Sequence, residues 1–462
     1  MGSIKYVAIL ALALAPSSWA AARSPVADET DQGQTGWSTV PAILARIQAP
    51  HFPAREFKLC DFGAVADGKS DCKSALDQAM AACASAGGGR VVVTRGEWLV
   101  NGPIHLKSGV NLHLEAGAVV RFGPEPKFYL PVVFTRYEGN ELMNYSPFLY
   151  AYEQDNIAIT GEGTFDGQAS KTAWWPWKEA GSADQARIRE ISEGSTLARE
   201  RVFGGDHSLR TNFVQPYSCK NVLIEGVTFT NSPMWTLNPV LCSNVTIRNV
   251  KVSSHGPNND GCDPDSCRDV LIEGCVFDTG DDCIAIKSGR NADGRRIGVP
   301  SENIIIRKCR MKDGHGGVVL GSEMSGGIRN VFVEDCVMDS PSLERAIRLK
   351  SNTMRGGYLQ NLFVRNVKVG QVADAVIRIN LNYDKDRGTQ VPEVRNIFIE
   401  GVTSERSKYP LYLAGLSDSK IRNIVLDNCT FKNAERPSVI ENVEELTLRN
   451  FRLLPKAGID NK

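Results

Sequence analysis

From residue 156 onward the apolar positions of the chain fall into a repeat. Asn221-Val-Leu-Ile-Glu-Gly-Val-Thr-Phe aligns with Asn244-Val-Thr-Ile-Arg-Asn-Val-Lys-Val. Further copies begin at Asp269, Asn303, Asn330, Asn361, Asn396 and Asn423, with a weaker one at Glu445 and an early one at Asn156. Apolar side chains alternate with period two and the phase slips once, which predicts two short strands joined by a bend. Most copies are followed by a polar turn and a further strand, as in Asp282-Cys-Ile-Ala-Ile-Lys, His315-Gly-Gly-Val-Val-Leu, Ala346-Ile-Arg-Leu-Lys and Ala375-Val-Ile-Arg-Ile. Three strands per repeat make one coil of an all-β, single-domain parallel β-helix, in which each coil pairs only with its neighbours. The repeated Asn is expected to stack coil on coil as an amide ladder at the bend.

Ahead of the repeats, Ser70 to Ala86 places Ala75, Leu76, Ala79, Met80 and Cys83 at helical spacing and ends on Gly87-Gly88-Gly89. This predicts a short N-terminal helix capping the open end of the strands. Strands are expected at Arg90–Thr94, Glu97–Val100 and Val110–Leu114. At the N-terminus, Lys5, an apolar run from Tyr6 to Ala15 and small residues through Ala22 read as a signal peptide over residues 1–22. Residues 23–50 are expected to be a linker outside the fold, and residues 51–460 the β-helix catalytic domain. The expected compartment is secreted or periplasmic.

Composition narrows the picture further. The 462 residues carry 53 basic and 53 acidic side chains, a balance that argues against a nucleic-acid partner. No apolar run after the N-terminus is long enough for a membrane span. The chain is expected to act as a monomer without metal or cofactor. Cys275, Cys309, Cys336 and Cys429 take the repeat position held elsewhere by Val227, Val250, Val367 and Val402, so they read as core residues. A pair on adjacent coils could be oxidised, and Cys262 with Cys267 could form a local disulfide. His255 reads as structural.

Carboxylates concentrate where the repeat should be apolar, in Asn258-Asn259-Asp260-Gly261-Cys262-Asp263 and Asp278-Thr279-Gly280-Asp281-Asp282. Anchoring the third strands on Ser266, Ser288, Ser322 and Ser351 puts Asn259, Asp281, His315 and Glu344 in one column. The next column then holds Asp260, Asp282, Gly316 and Arg345. Asp260, Asp281, Asp282, His315, Arg348 and Lys350 thus fall on one wall. Strict alternation would turn Asp282 inward with Ile284 and Ile286, so the turn must break the phase. Clustered carboxylates raise at least one pKa and supply an acid and a base together, as glycoside hydrolysis requires. The cations suit an anionic substrate. A solvated turn ladder or a calcium site are the alternatives.

These residues resemble glycoside hydrolase family 28, the polygalacturonases, whose four blocks appear in order as Asn258-Asn259-Asp260, Gly280-Asp281-Asp282, Gly314-His315-Gly316 and Arg348-Leu349-Lys350. The stretches Ile286–Gly298 and Gly321–Gly327 look like the bacterial exo-acting branch. The resemblance implies a right-handed, pectin-lyase-like β-helix that hydrolyses α-1,4-galacturonosidic bonds with inversion. Pectic polysaccharide or oligogalacturonide is the implied partner. Asp281 would be the general acid, Asp260 and Asp282 would activate water, and His315 would share the proton of Asp281. Arg348, Lys350, Lys287, Arg290 and Asn258 would bind substrate. Inversion calls for an acid-to-base gap of about 6.5–9.5 Å. Asn259 stands where the family usually has Thr or Ser, and Asn238 where many members have His. Arg295 and Arg296 are candidates for a basic pocket. Trp174-Trp175-Pro176-Trp177 could stack on sugar or form a satellite core. Segments 127–147 and 169–212 could wall off one end of the groove, which would favour exo action. A pectate lyase and a non-catalytic carbohydrate-binding β-helix remain as competing readings.

Overall fold

The three strands predicted per repeat stack into three faces of a parallel β-helix in a computed structural model that describes residues 36–454. Two faces are unbroken 13-stranded sheets, one running from Glu56–Lys58 to Val443–Arg449 and the other from Asp67–Asp71 to Arg452–Leu454. The third face is divided. A three-stranded part contains Ile104–His105, Leu149–Tyr152 and Val214–Tyr217, and a six-stranded part begins at Ile284–Ile286. Between them two coils contribute only isolated bridges, Leu237↔Cys262 and Cys262↔Ile284. That irregular gap is where Asp260 lies.

Register follows the repeat to the residue. Val222, Val245, Val270, Ile304, Val331 and Leu362 are direct partners on successive coils, and all are buried. The repeated Asn adopts the left-handed backbone conformation, with φ +55° at Asn221 and +56° at Asn330, a region Asn tolerates better than most residues. Its side chains form the expected ladder: Asn330 Nδ2 donates to Asn303 Oδ1 at 3.1 Å, Asn361 to Asn330 at 3.0 Å and Asn396 to Asn361 at 3.0 Å. Cys275, Cys309, Cys336 and Cys429 are buried, and all twelve cysteines are free thiols, Cys262 and Cys267 included.

The capping helix forms at Lys73–Ser85 and buries the five residues chosen for its inner face. The residues expected to be a linker require a correction. Within the 23–50 stretch, Val40–Arg46 is a helix, and Val40, Ile43 and Ile47 pack on Leu271, Ile305, Phe332 and Phe363 outside the β-helix. Polar contacts at two ladder positions, Asn244 and Asp269, fix this strap. Asp269 replaces the repeated Asn and has no amide to donate to Asn244, so the backbone N–H of Gln48 donates to Asn244 Oδ1 instead, at 2.8 Å. Arg46 Nη2 pairs with Asp269 Oδ1 at 2.7 Å. The expected signal peptide lies outside the described residues. Among those described, no helix is long and apolar enough to cross a membrane.

One antiparallel hairpin, Val133–Tyr137 with Asn140–Asn144, and the helices Trp177–Ala180 and Ser182–Glu193 interrupt the repeat. Trp174 anchors this insertion from within, buried against Tyr129, Tyr145, Phe148 and Trp177. Trp175 donates its indole N–H to Ser232 O. The aromatic run therefore joins the main core rather than forming a satellite one, with Trp175 and Trp177 packed partly buried on it.

Candidate functional site

The third-face strands carry the acidic turns at their N-terminal ends. Cys262, Ile284, Val318 and Ile347 are partners on successive coils, which aligns Asp260, Asp282, Gly316 and Arg345 two residues earlier, as the trailing serines require. Cys283 and Ile284 both enter the core, so the alternation slips between Asp282 and Ile284 and the carboxylate turns out of the interior. Glycine is needed opposite it: a Cβ on Gly316 would lie 3.3 Å from Asp282 Oδ1 and 2.4 Å from Val319. At Gly314, with φ +153°, a Cβ would meet Asp281 O at 2.6 Å. The Gly-His-Gly block thus lets one coil lie close against the acids of the one before it.

Asp260, Asp281, Asp282, His315, Arg348, Lys350, Lys287, Arg290 and Asn258 all line one cavity of about 280 Å³. Carboxylate oxygens of Asp260, Asp281 and Asp282 lie within 4.8 Å of one another. This is shorter than the expected 6.5–9.5 Å gap. The reason is architectural: the acids sit on adjacent turns and adjacent coils, so the coil pitch of about 4.8 Å sets their separation. Two oxygens at this distance can share one water as hydrogen-bond partner.

The acids are held in different states. Asp282 is buried, which alone would raise its pKa, but Lys350, Arg348 and Lys287 outweigh burial and hold it well below the usual carboxylate range. Lys350 Nζ lies 2.7 Å from Asp282 Oδ2, and Arg348 Nη1 3.3 Å from Oδ1. Burial pushes Asp260 far up, aided by the charges of Asp263 and Asp281. Asp263, fully enclosed beside it, is raised for the same reason. One expected consequence of clustering, a carboxyl raised towards neutrality, therefore falls on Asp260. Asp281 Oδ1 accepts the N–H of Asp282 at 2.9 Å and meets His315 Nδ1 at 2.9 Å. That hydrogen bond raises the imidazole above its ordinary value of 6.5 against the opposing effect of burial. His315 is half-exposed, so this pair stands at the mouth of the site.

Other candidates separate cleanly. Lys287 bridges to Glu323 at 3.1 Å, and Arg290 pairs with Glu138 at 2.9 Å. Arg295 and Arg296 do not line the cavity. Arg295 donates to Met354 O and Arg355 O, while Arg296 pairs with Glu141 and Asp293. Asn238 is buried and bonded to Gln215, Asn212 and Asp263 O, so it contacts no ligand space. Asn259 is buried too, accepting from Ser254 Oγ at 2.6 Å. His255 pairs with Asp278 outside the cavity. Sequence reasoning missed Glu138, Lys178, Arg189, Trp235, Glu323 and Tyr383, which also line it. Arg348 and Lys350 lie over the Tyr383 ring at 5.5 and 5.3 Å, and Lys287 over Trp235 at 4.8 Å. Ser322-Glu323 directly follows an aligned strand, a signal that was available. Glu138, Lys178, Arg189 and Tyr383 come from insertions without repeat frame, whereas Trp235, two residues before Leu237, stands in the column of Asp260 and Asp282.

This geometry can be set beside known proteins. The chain is 45% identical to a hyperthermoactive exopolygalacturonase from Thermotoga maritima, with a TM-score of 0.88 over 90% of this chain and 96% of that one. It is 29% identical to a protein of Vitis vinifera described as "Probable polygalacturonase", over 68% of this chain and 60% of the relative. An exo-poly-alpha-D-galacturonosidase of Dickeya chrysanthemi is 27% identical over 72% of this chain and 58% of its own length. The chain thus spans about three-fifths of these two curated relatives. Residues 57–196 match a model described as rhamnogalacturonase A/epimerase, pectate lyase-like. Residues 204–449, more than half the chain and all four blocks of the site, match the model for glycosyl hydrolases family 28, and the chain belongs to that family.

Proposed function

We propose that the protein hydrolyses α-1,4-galacturonosidic bonds of pectic polysaccharide or oligogalacturonide, from a chain end and with inversion. The observation that carries this reading is the division of labour among three adjacent acids. Asp282, kept ionised by Lys350 and Arg348, and Asp260 in the same column hold a water between them. Asp282 takes its proton as the water attacks the anomeric carbon. Asp281, which shares a proton with His315, delivers it to the glycosidic oxygen. Breakage of the C–O bond then leaves one new hydroxyl on each fragment. The cations that fix Asp282 face the same cavity as the substrate carboxylate, and Arg348 can grip it with two hydrogen bonds.

Likeness to exo-acting relatives supports chain-end action, as does the hairpin Val133–Asn144, whose tip residue Glu138 lines the cavity. We further propose one catalytic domain over residues 51–460, preceded by the strap and a cleaved leader over residues 1–22, in a secreted or periplasmic monomer. The acids also suit a cation. Against that, Asp282 already has two cationic partners, so a chelator should leave the rate unchanged. Product profiling on defined oligogalacturonates tests the proposal. A single short product from the first time point, with the new anomer inverted by NMR, supports it. A ladder of lengths refutes exo action, and a retained anomer refutes the water-holding role.

A further inference from the structure

The hairpin Val133–Asn144 ends in an unusual turn whose tip lines the cavity. Glu138 and Gly139 both have positive φ, +43° and +81°, as a two-residue hairpin turn demands. Asn, Asp or Gly normally takes the first of these positions, and glutamate there is strained. The tip is also seated closely: a Cβ on Gly139 would lie 2.8 Å from Arg290 N, and Gly139 O accepts the Arg290 N–H at 3.1 Å. The outcome is a glutamate, 9% exposed, facing the cavity between Arg290 at 2.9 Å and Arg189 at 3.4 Å. Glu323, 7% exposed, approaches Arg290 from the other side at 3.8 Å. Arg290 and Arg189 outweigh burial and keep Glu138 ionised.

Two ionised carboxylates are out of place in a pocket for a polyanion unless they select what enters. An ionised carboxylate can only accept hydrogen bonds. It welcomes a sugar hydroxyl and repels a uronate carboxylate. From the geometry we infer that Glu138 is a specificity-determining residue that reads the terminal hydroxyl of the saccharide chain, an inference that rests on the hydrolase reading above. The end it reads follows from the order of groups in the cleft. The Asp260–Asp282 pair, whose water attacks the glycone, adjoins Lys287, and Arg290 lies further along the same segment. Asp281 and half-exposed His315 face the leaving chain at the open mouth. The enclosed side therefore holds the non-reducing terminus, and Glu138 accepts a hydrogen bond from its ring hydroxyls, the 4-hydroxyl foremost. A further uronate in place of that hydroxyl would bring a carboxylate towards Glu138 and be rejected. The stop is electrostatic as well as steric.

A chain end made by hydrolysis carries this hydroxyl, whereas an end made by β-elimination has a 4,5-double bond in its place. The protein should therefore consume the products of hydrolases and spare those of lyases. The test compares kcat/KM on trigalacturonate and on the 4,5-unsaturated trimer of equal length. The wild-type protein should favour the saturated trimer by about 100-fold, the value of a hydrogen bond to a charged group. Glu138→Gln keeps the size of the side chain. It should slow the saturated trimer by about tenfold or more and leave the unsaturated one within about twofold. Equal wild-type rates on the two trimers would overturn the inference while leaving the hydrolase reading intact. A preference undiminished in Glu138→Gln would also overturn it. Failure to cleave either trimer or polygalacturonate would instead defeat the underlying reading. The wild-type comparison decides even if the variant does not fold.

Discussion

Two stacks of polar side chains climb the same β-helix, and their chemistry is opposite. At the bend of one face, Asn303, Asn330, Asn361, Asn396 and Asn423 each donate to the residue one coil back. An amide has a donor and an acceptor, so such a stack satisfies itself at the coil pitch. At the turn before the third face, Asp260 and Asp282 occupy one column with Asp281 beside them. Carboxylates have only acceptors, so the same pitch forces them to share protons, recruit cations or repel. Position 269 shows what an acid does in the amide stack: it breaks the chain of donors, and Arg46 and Gln48 of the strap repair the break. The amide stack stabilises; the acid stack stores unfavourable charge where chemistry needs it.

Exchanging the two chemistries is the sharpest way to break this contrast. Asp282→Asn should lower kcat by about 10²–10⁴-fold on polygalacturonate, measured by reducing-end release, with near-native circular dichroism. The reverse exchange, Asn330→Asp, removes a donor from the amide stack and sets oxygen against oxygen. It should cost about 1–3 kcal/mol in denaturant unfolding while kcat is unchanged, because Asn330 is remote in sequence and face from the acids. Asp260→Asn should give the opposite sign, a gain of about 1 kcal/mol together with a large loss of activity, since it relieves a buried, repelled carboxyl.

The amide and acid columns were readable because both obey the repeat. Aligning Ser266, Ser288, Ser322 and Ser351 assigns the acid column, and the bridges Cys262↔Ile284 and Ile284↔Val318 agree with it. The strap was not read, although its signal was present. The third position is apolar in six consecutive copies, with the bulky Leu271, Ile305, Phe332, Phe363 and Phe398 preceding Val425. Such an outward stripe needs a cover, and Val40, Ile43 and Ile47 supply it. Glu138 was unreadable for a different reason. It acts on Arg290 from a hairpin outside the repeat, and no periodicity links the two.

Smaller effects sharpen the picture at its edges. The folded pKa of His315 lies above the unfolded 6.5 because Asp281 holds the imidazolium. The pair's contribution is therefore full below that unfolded value and fades as pH rises through the folded one. kcat/KM should fall along this alkaline limb, and His315→Asn should remove that limb from the pH profile. The smallest effect is expected from Arg46→Ala. It deletes an ion pair whose arginine is half-exposed and should cost about 1 kcal/mol, read as a slight drop in the denaturation midpoint.

The most direct measurement follows polygalacturonate incubated with the wild-type protein by two readings at once, new reducing ends and ultraviolet absorbance. Hydrolysis by a water held between Asp260 and Asp282 predicts that reducing ends accumulate with no absorbance change, with and without chelator. Absorbance rising in step with reducing ends, or no new ends on any galacturonan, would contradict the account.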